Sequence, residues 1–215
     1  MLFIVPARMG SKRLKGKNKK CFNGKPLVCH SIEFAKKVSS FRDTVCVTTD
    51  DKEILELAVS KHVDLVIERP TYLSTDSATS YDVIIHACDI AIASNKEFDT
   101  IVLLQPTTPF RSEKDFEMMK KLYMKRSMKA FASISKTKND DKNRVIYDAQ
   151  TMKISKNSFG EVGYLNGSIY FFDHHNLINE KKNLEFEDTN YFIMSRKNSI
   201  DIDTLEDWNL AAEYL

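Results

Sequence analysis

Cationic side chains are concentrated in one short stretch near the start of the chain. Residues 8–25 contain eight lysines or arginines and no acidic residue, although the 215-residue chain carries a net charge of only +2. Arg8, Lys12 and Lys17 of this stretch follow a short apolar run and are interspersed with glycines. A glycine-containing loop after a strand can turn its backbone N–H groups toward phosphates while its cations neutralise them. The pattern predicts a site for a small polyanion, with a solvated basic turn as the alternative.

Two carboxylates lie two positions apart near the other end of the chain. Asp201 and Asp203 fall in an extended piece, where residues i and i+2 face the same side. Such a pair repels unless a cation or hydrogen bonds offset the charge. A Mg²⁺ ion shared between carboxylate and substrate phosphate meets this need, with Mn²⁺ as a second possibility. The structural alternative is that one aspartate, with Thr204, begins the last helix.

Composition and missing motifs exclude several other classes. The 32 basic and 30 acidic residues leave no excess charge for nucleic-acid binding. The basic loop lacks both GxGxxG and GxxxxGK[ST], which disfavours dehydrogenases and P-loop kinases. The four cysteines form no CxxC pair and predict a reducing compartment. The apolar start is too short for a signal peptide, and no later run is long enough to span a membrane.

Apolar periodicity predicts alternating strands and helices, and therefore a mostly parallel sheet with helices on both faces. In such sheets ligands bind outside the carboxyl ends of the strands. Residues 136–162 lose this periodicity and are predicted to form an inserted flap, whereas 173–190 are predicted to be a polar loop. The predicted strands are 2–5, 44–49, 65–67, 100–104, 130–135, 168–172 and 191–194, and the predicted helices are 26–40, 52–61, 81–93, 112–125 and 204–215.

The stretch from Pro6 to Asn18, PARMGSKRLKGKN, resembles the signature loop of the CMP-sialic acid synthetases and related sugar cytidylyltransferases. In that family the loop reads roughly PAR-x-GSK-x-x-x-x-KN. Eight positions agree with it, in the same spacing. They are Pro6, Ala7, Arg8, Gly10, Ser11, Lys12, Lys17 and Asn18.

Five further motifs resemble the same family and follow in the family's order, from the first strand to the last helix. Thr48–Asp51 and the DSATS segment are also ordinary helix-capping patterns, so they are weaker evidence than the others. Arg111 is predicted to anchor its loop rather than to do chemistry. The five motifs are Thr48–Asp51 (TTDD), Arg69–Ser80 (RP, then DSATS), Leu103–Arg111 (LLQPTTPFR), Asn166–Tyr170 (NGSIY) and Ser199–Thr204 (SIDIDT).

The resemblance implies roles for individual residues. The catalytic candidates, which would neutralise charge on the phosphates, are Arg8, Lys12 and Lys17. Asp203, with Asp201 as ligand or support, would hold the metal. The nucleotide-binding candidates are Ala7, Arg8, Gly10, Ser11, Asn18, Arg69, Ser80 and Gln105, and the sugar-binding candidates are Gln105, Asn166 and Tyr191.

The resemblance also implies a fold and an activity. The fold is a Rossmann-like nucleotidyltransferase domain over residues 1–215, with a small dimerisation and sugar-binding subdomain inserted at about 136–165. The activity is transfer of CMP from CTP to the anomeric hydroxyl of an acidic nine-carbon sugar of the N-acylneuraminate type, which releases pyrophosphate and supplies surface glycan synthesis. The implied protein is a cytoplasmic homodimer that binds neither nucleic acid nor membrane.

The sequence departs from the family at one informative place. Members specific for N-acetylneuraminate carry a basic residue just before the NG-x-IY strand, whereas this chain has Gly163–Leu165 there. CMP-legionaminate, CMP-pseudaminate and CMP-Kdo synthesis, and mannose- or glycerol-type cytidylyl transfer, therefore stay open. No histidine is placed as a general base, and His174–His175 are a minor candidate for substrate contact. Outside the enzymes, the alternative is a nucleotide-binding regulatory module on the same sheet, against which Lys17 and the aspartate pair argue.

Overall fold

Strands and helices alternate along the computed structural model, which describes residues 1–126, 128–137, 143–153, 155, 160–180 and 189–215. The strands are β1 (Leu2–Pro6), β2 (Cys21–Phe22), β3 (Lys25–Pro26), β4 (Thr44–Thr49), β5 (Leu65–Glu68), β6 (Thr100–Leu103), β7 (Ala130–Ser135), β8 (Arg144–Tyr147), β9 (Glu161–Asp173) and β10 (Thr189–Ile193). The helices are α1 (Leu27–Val38), α2 (Lys52–Ser60), α3 (Ser80–Ala93), α4 (Glu113–Arg126), α5 (His174–Glu180) and α6 (Leu205–Ala212).

The main sheet has the strand order β10-β7-β9-β6-β1-β4-β5, and β8 pairs with β9. The pairs β1–β4, β1–β6, β4–β5 and β7–β10 are parallel. Strand β9 runs antiparallel to β6, β7 and β8, so it is the reversed strand in a sheet whose other strands share one direction. The predicted mostly parallel α/β fold is confirmed.

Both faces of the central strands are buried beneath helices. In β1, Leu2 and Ile4 pack on the face covered by α3 and α5, whereas Phe3 and Val5 pack on the face covered by α1, α2 and α4. All four side chains have no exposed surface. A strand buried on both faces reads as a continuous apolar run, which is why the sequence predicts β1 so directly. Each such side chain contributes roughly 1.5–3 kcal/mol by leaving water.

The carboxyl ends of β1, β4 and β6 meet at one edge of the sheet. Pro6 lies beside Thr48, and Ile4 lies beside Leu103, so the segments that follow these strands leave the sheet together. The C-terminal aspartates reach the same edge because the Ile202 amide donates to the carbonyl oxygen of Thr107 at 2.8 Å. Motifs from both ends of the sequence are therefore brought to one place.

Two predictions about the second half of the chain need correction. The loop predicted over 173–190 is wrong for His174–Glu180, which form α5. This helix is stabilised at its start by Asp173, whose Oδ1 accepts from the Asn176 amide at 2.8 Å, and by burial of Leu177. The predicted strand 168–172 covers only the C-terminal part of β9, which spans 13 residues from Glu161 to Asp173.

The predicted insertion at about 136–165 is described only in part. Strand β8 pairs with residues 161–164 of β9 and so extends the sheet as an antiparallel hairpin. Residues 138–142, 154 and 156–159 lie outside the described residues. The dimerisation and sugar-binding subdomain therefore stays a prediction.

Candidate active site

A cleft of about 760 Å³ opens at the carboxyl edge of the sheet. Its walls come from the basic loop, the segment before α3, the loop after β6 and the segment before α6. Most of the residues singled out from the sequence lie on these walls. They are Arg8, Ser11, Lys12, Lys17, Asn18, Arg69, Ser80, Gln105, Asp201 and Asp203.

The basic loop is folded so that its central residues are buried. Gly16 adopts a left-handed conformation (φ 64°), which glycine adopts without steric cost, and a single 3-10 turn over Lys17–Lys19 follows. The Asn18 side-chain amide donates to the carbonyl oxygen of Arg8 at 3.0 Å, which ties the two ends of the loop together. Lys17 is only 9% exposed as a result, so its charge is held in place rather than solvated.

Lys17 connects the basic loop with the C-terminal aspartates. Its Nζ donates to the carbonyl oxygen of Ile202 at 2.9 Å and forms an ion pair with Asp203 Oδ1. Arg13 pairs with the other oxygen of the same carboxylate. The cationic turn and the carboxylate pair, which are about 185 residues apart in sequence, therefore share one cleft.

A second set of ion pairs crosses the mouth of the cleft. Arg8 pairs with Asp76 at 3.0 Å, and Lys12 pairs with the other oxygen of Asp76. The hydrogen bonds from Lys12 and then Arg8 lower the pKa of the Asp76 carboxyl below its ordinary value. All three side chains are substantially exposed, so these are solvent-screened pairs that a ligand anion can replace.

Arg69 lies on the wall opposite the basic loop. It is 5% exposed and donates to Thr48, from Nη2 to the carbonyl oxygen at 2.6 Å and from Nε to the hydroxyl at 3.3 Å. Burial lowers the pKa of its guanidinium to about 10, which leaves it charged at neutral pH. Ser80, the first residue of α3, follows on the same wall, where the Thr79–Asp82 capping box fixes the start of the helix.

Gln105 packs directly over Gly167. Gly167 has a φ of +69°, and a Cβ there would lie 2.4 Å from Gln105 Oε1. Glycine is favoured at this position for two reasons. It adopts the positive φ without steric cost, and it leaves room for the Gln105 side chain. Arg111 anchors the loop as predicted, because its guanidinium donates to the carbonyl oxygens of Ser168 and Thr108 at 2.6 Å each.

Asp201 has the strongest electrostatic perturbation of the cleft carboxylates. Burial first, and then the charge of Asp203, raise its pKa to about 6, while Thr107 and Lys17 act in the opposite direction. Its Oδ1 atom is buried and has no hydrogen-bond partner in the described part of the chain. Two neighbouring carboxylates of which one has an unpaired oxygen fit a divalent cation. Among the described residues no three His, Cys, Asp or Glu side chains come together, so a bound cation would need further oxygens from a ligand or water.

Three buried oxygens of the cleft lack hydrogen-bond partners within the described residues. They are Asn18 Oδ1, Thr107 Oγ1 and Asp201 Oδ1. An unpaired buried polar group costs about 1–3 kcal/mol, and such groups are rare in folded proteins. All three line the same cleft, which favours it as a site for a ligand or cation that satisfies buried polar atoms.

Four of the residues predicted from the sequence do not lie on the cleft wall. Ala7 is buried beneath the basic loop, where its amide donates to the Thr48 carbonyl oxygen at 3.0 Å, and Gly10 is exposed on the outer side of the loop. Asn166 has no exposed surface and bonds Ser133 Oγ at 2.6 Å. Tyr191 is 3% exposed and packs edge-on against Tyr147. Sugar contact by Asn166 and Tyr191 stays a prediction.

His174–His175, the minor candidates, lie away from the cleft. The amide of His174 donates to the Asp99 carbonyl oxygen at 2.9 Å, just before β6 begins, and so at the opposite end of the sheet. Burial lowers the pKa of the His174 imidazole.

Several residues of the cleft wall besides Asp76 were not predicted as site residues, and Arg13, Thr107 and Asn143 show why. Arg13 lies inside the basic run, and only its ion pair with Asp203 distinguishes it from its neighbours. Thr107 lies inside a recognised motif, but nothing local separates it from Thr108. Asn143 reaches the cleft wall from the start of β8 and carries no local signal at all.

The sheet is mostly parallel, and a cleft lined by cations and a carboxylate pair lies at its carboxyl edge, an arrangement that suits a nucleotidyltransferase. A family model described as "Cytidylyltransferase" matches residues 2–214, and the chain therefore belongs to the cytidylyltransferase family.

Named relatives and solved structures agree with this assignment. The chain is 32% identical to the N-acylneuraminate cytidylyltransferase of Escherichia coli O18:K1:H7 over 98% of its own length and 51% of that protein, so it spans about half of that relative. It is also 32% identical to the CMP-N,N'-diacetyllegionaminic acid synthase of Legionella pneumophila, over all of this chain and 96% of that protein. A CMP:2-keto-3-deoxy-manno-octonic acid synthetase solved with CTP has the same fold, with a TM-score of 0.74, 18% identity, and coverage of 100% of this chain and 99% of that one.

Proposed function

We propose that this chain transfers CMP from CTP to the anomeric hydroxyl of an acidic nine-carbon sugar of the N-acylneuraminate type and releases pyrophosphate. The observation that carries the proposal is the contact between Lys17 and Asp203 inside one cleft. A buried cation and a carboxylate pair at the carboxyl edge of a parallel sheet are what a nucleoside triphosphate requires. The family of the chain and the names of its relatives support CTP as that triphosphate.

The chemistry depends mainly on positioning and charge neutralisation. The triphosphate lies over the basic loop, where Lys17 and Lys12 offset the phosphate charge and displace the contacts with Asp203 and Asp76. The anomeric hydroxyl of the sugar attacks the α-phosphorus and gives up its proton to water in the cleft, and the bond from that phosphorus to the oxygen bridging to the β-phosphate breaks. Arg8 stabilises the negative charge that collects on the departing pyrophosphate.

Asp201 and Asp203 are the residues that would hold a divalent cation, Mg²⁺ or in its place Mn²⁺. When bound, such an ion neutralises triphosphate charge and draws electron density away from the phosphorus. The proposal follows from the unpaired Oδ1 of Asp201 and from the mutual repulsion of the two carboxylates. None of the described histidines lies on the cleft wall, so no imidazole is assigned as the base.

The nucleoside lies against the wall formed by Asn18, Arg69, Ser80 and Gln105. Cytosine presents a carbonyl oxygen, a ring nitrogen and an amino group, so its pocket needs both donors and acceptors. Arg69 supplies donors held in place by Thr48, and Asn18 Oδ1 supplies a buried acceptor that the fold leaves unpaired. The backbone of the basic loop around Ala7, Gly10 and Ser11 shapes the phosphate end of the same site.

The class of sugar is proposed from the relatives and from one local feature. Relatives of this chain are named for N-acylneuraminate, N,N'-diacetyllegionaminate and pseudaminate. At Gly163, where N-acetylneuraminate enzymes place a basic residue nearby, a Cβ would approach the Ile134 side chain to 2.8 Å and the Tyr147 ring to 3.3 Å. The segment Gly163–Leu165 carries no cationic side chain, and a side chain at Gly163 would have to displace the end of Ile134. We therefore favour a nonulosonate other than N-acetylneuraminate, such as legionaminate or pseudaminate, with Kdo as the alternative.

The proposals for the oligomeric state and the cellular location of this protein rest only on its family. We propose a homodimer in the cytoplasm, with the segment at about 136–165 in the dimer contact. The described residues contain no helix that is both long and apolar enough to cross a membrane.

The decisive experiment measures pyrophosphate release from CTP with a panel of sugars: N-acetylneuraminate, N,N'-diacetyllegionaminate, pseudaminate and Kdo. We expect release with at least one nine-carbon sugar, dependent on added Mg²⁺, and none when UTP or ATP replaces CTP. CTP-dependent thermal stabilisation without turnover of any sugar would instead favour the regulatory module. Release with Kdo alone would correct the sugar class and leave the cytidylyl transfer intact.

A further inference from the structure

Two adjacent threonines in the loop after β6 have opposite surroundings. Thr108 is fully buried, and its hydroxyl donates toward the carbonyl oxygens of Gln105 and Gly167, each at 3.2 Å, and accepts from Arg111 at 2.7 Å. The Thr107 hydroxyl is buried and has no hydrogen-bond partner among the described residues. The hydroxyl of Thr108 is therefore fully hydrogen-bonded, whereas the described residues give the Thr107 hydroxyl no complete hydrogen bond.

Thr107 lies beside the carboxylate segment, and the backbone fixes this arrangement. The Ile202 amide donates to the Thr107 carbonyl oxygen at 2.8 Å, which sets the two segments in register. Lys17 Nζ holds the Ile202 carbonyl oxygen at 2.9 Å from the other side. Thr107 and Asp201 both line the cleft, and each has one buried oxygen without a partner.

The Thr107 hydroxyl and the Asp201 carboxylate can form a donor–acceptor pair. A threonine hydroxyl is one donor with two acceptor lone pairs, whereas an ionised carboxylate only accepts. The Thr107 side chain lies close enough to Asp201 to favour the ionised form of this carboxylate, so rotation of the hydroxyl can direct its proton to Asp201. The carboxylate is then held in one orientation, and its remaining lone pairs face the cleft.

We propose that Thr107 is a positioning residue, whose hydroxyl donates to Asp201 and orients this carboxylate toward the divalent cation that accompanies the nucleotide. The inference rests on the proposed function, because that function supplies the cation. Residues that orient a metal ligand in this way typically change metal affinity 10- to 100-fold when they are removed.

The test uses three variants of the full chain and a readout without turnover. Thr107→Val removes the hydroxyl and keeps the shape and the backbone contact to Ile202, whereas Thr107→Ser keeps the hydroxyl. Thr108→Val is the matched control, since it removes a neighbouring hydroxyl that serves the loop. Binding of Mn²⁺ is followed by electron paramagnetic resonance in the presence of α,β-methylene-CTP, which cannot release pyrophosphate.

We expect Thr107→Val to weaken Mn²⁺ binding at least about 10-fold and Thr107→Ser to bind within about threefold of the unmodified protein. Binding of the nucleotide analogue without a metal should be unchanged in both. Thr108→Val should lower the melting temperature and leave the Mn²⁺ affinity of the folded protein unaltered. If Thr107→Val fails to fold, Thr107→Ala takes its place.

Equal Mn²⁺ affinity in Thr107→Val and the unmodified protein would overturn the inference, as would a Thr107→Ser variant as weak as Thr107→Val. Failure of the unmodified protein to bind Mn²⁺ with the analogue is a different result. It would remove the cation from the proposed function itself, and the inference with it.

Discussion

The same sheet carries two large cavities, one at each end of its parallel strands. The cleft at the carboxyl ends has a volume of about 760 Å³, and the cavity at the amino ends, lined by Asp43, Asp64 and Phe98 among others, has about 930 Å³. Size alone would favour the second. The two cavities differ in whether the polar atoms that line them have hydrogen-bond partners within the protein.

Two carboxylates of the amino-end cavity, Asp43 and Asp64, have partners in the fold. Asp43 accepts from the Met1 amino group at 2.7 Å and from the amide and hydroxyl of Ser40 at 2.8 Å each, and Asp64 accepts from the Val45 amide at 2.8 Å. In the carboxyl-end cleft, Asn18, Thr107 and Asp201 each have a buried oxygen with no hydrogen-bond partner in the part of the chain that the structure describes. Hydrogen-bonded carboxylates such as Asp43 contribute to the stability of the fold, whereas the grouping of these three buried oxygens in one cleft favours that cleft as the ligand site.

The largest effect is expected for Lys17→Met. Loss of the buried cation removes charge stabilisation from the triphosphate, so kcat/KM for CTP should fall about 100-fold or more. The measurement is continuous pyrophosphate release. Lys25→Met is the matched control, because Lys25 also forms an ion pair, with Glu33, but lies outside the cleft. A similar loss in both variants would mean that Lys17 acts on the fold rather than on the triphosphate.

A pair of aspartate variants compares the two cavities directly. Asp203→Asn should abolish the extra thermal stabilisation that Mg²⁺ adds to CTP, since one of the two proposed cation ligands loses its charge. Asp64→Asn weakens one part-buried hydrogen bond of about 1 kcal/mol and should lower the melting temperature by about 2–4 °C with unchanged kcat/KM. Loss of activity in Asp64→Asn with little loss of stability would contradict the contrast drawn between the cavities.

A smaller effect, in the opposite direction, is expected for Asp76→Asn. Asp76 pairs with Arg8 and Lys12 across the cleft mouth and so competes with phosphate oxygens for the same cations. Its neutralisation should lower the KM for CTP about two- to fivefold at low salt, the modest size expected of exposed ion pairs. The difference should vanish in about 0.5 M salt. A raised KM would show that Asp76 itself binds the substrate.

The smallest effect is a pH dependence at the amino end of the sheet. Burial lowers the pKa of His174 below its ordinary 6.5, so the folded state binds fewer protons there than the unfolded state. The contribution of a neutral His174 is complete above pH 6.5 and declines as the pH falls toward the lower, folded-state pKa. His174→Phe should flatten the loss of melting temperature between pH 7 and pH 5 and leave activity unchanged. An unaltered slope would exclude His174 as its source.

The sequence predicts the central sheet well because its strands are buried on both faces. Leu2–Val5 and Thr44–Thr49 are uninterrupted apolar or β-branched runs, and their limits agree with β1 and β4 within one residue. Strand β9 was predicted too short because Gly163, Asn166 and Gly167 interrupt its apolar pattern. Helix α5 was not predicted because its segment is mostly polar. Leu177 is the one buried residue among His174–Asn179, which is too few for an apolar periodicity.

The residues of the candidate site also fall into two groups: those that a local sequence pattern predicts, and those that only the fold brings together. Lys17 and Asp203 were found because each lies in a motif of fixed spacing. The ion pair between Arg13 and Asp203, and the unpaired hydroxyl of Thr107, depend on which segments the fold brings together. No local pattern separates Thr107 from Thr108, because their difference arises only from the atoms around them.

The central claim is that the smaller cleft, and not the larger cavity, holds the triphosphate. A crystal structure of the protein with α,β-methylene-CTP and Mg²⁺ tests it most directly. The account predicts phosphate oxygens within 3.2 Å of Lys17 Nζ, with the Lys17–Asp203 ion pair opened. A nucleotide bound between Asp43 and Asp99, with that ion pair intact, would contradict it.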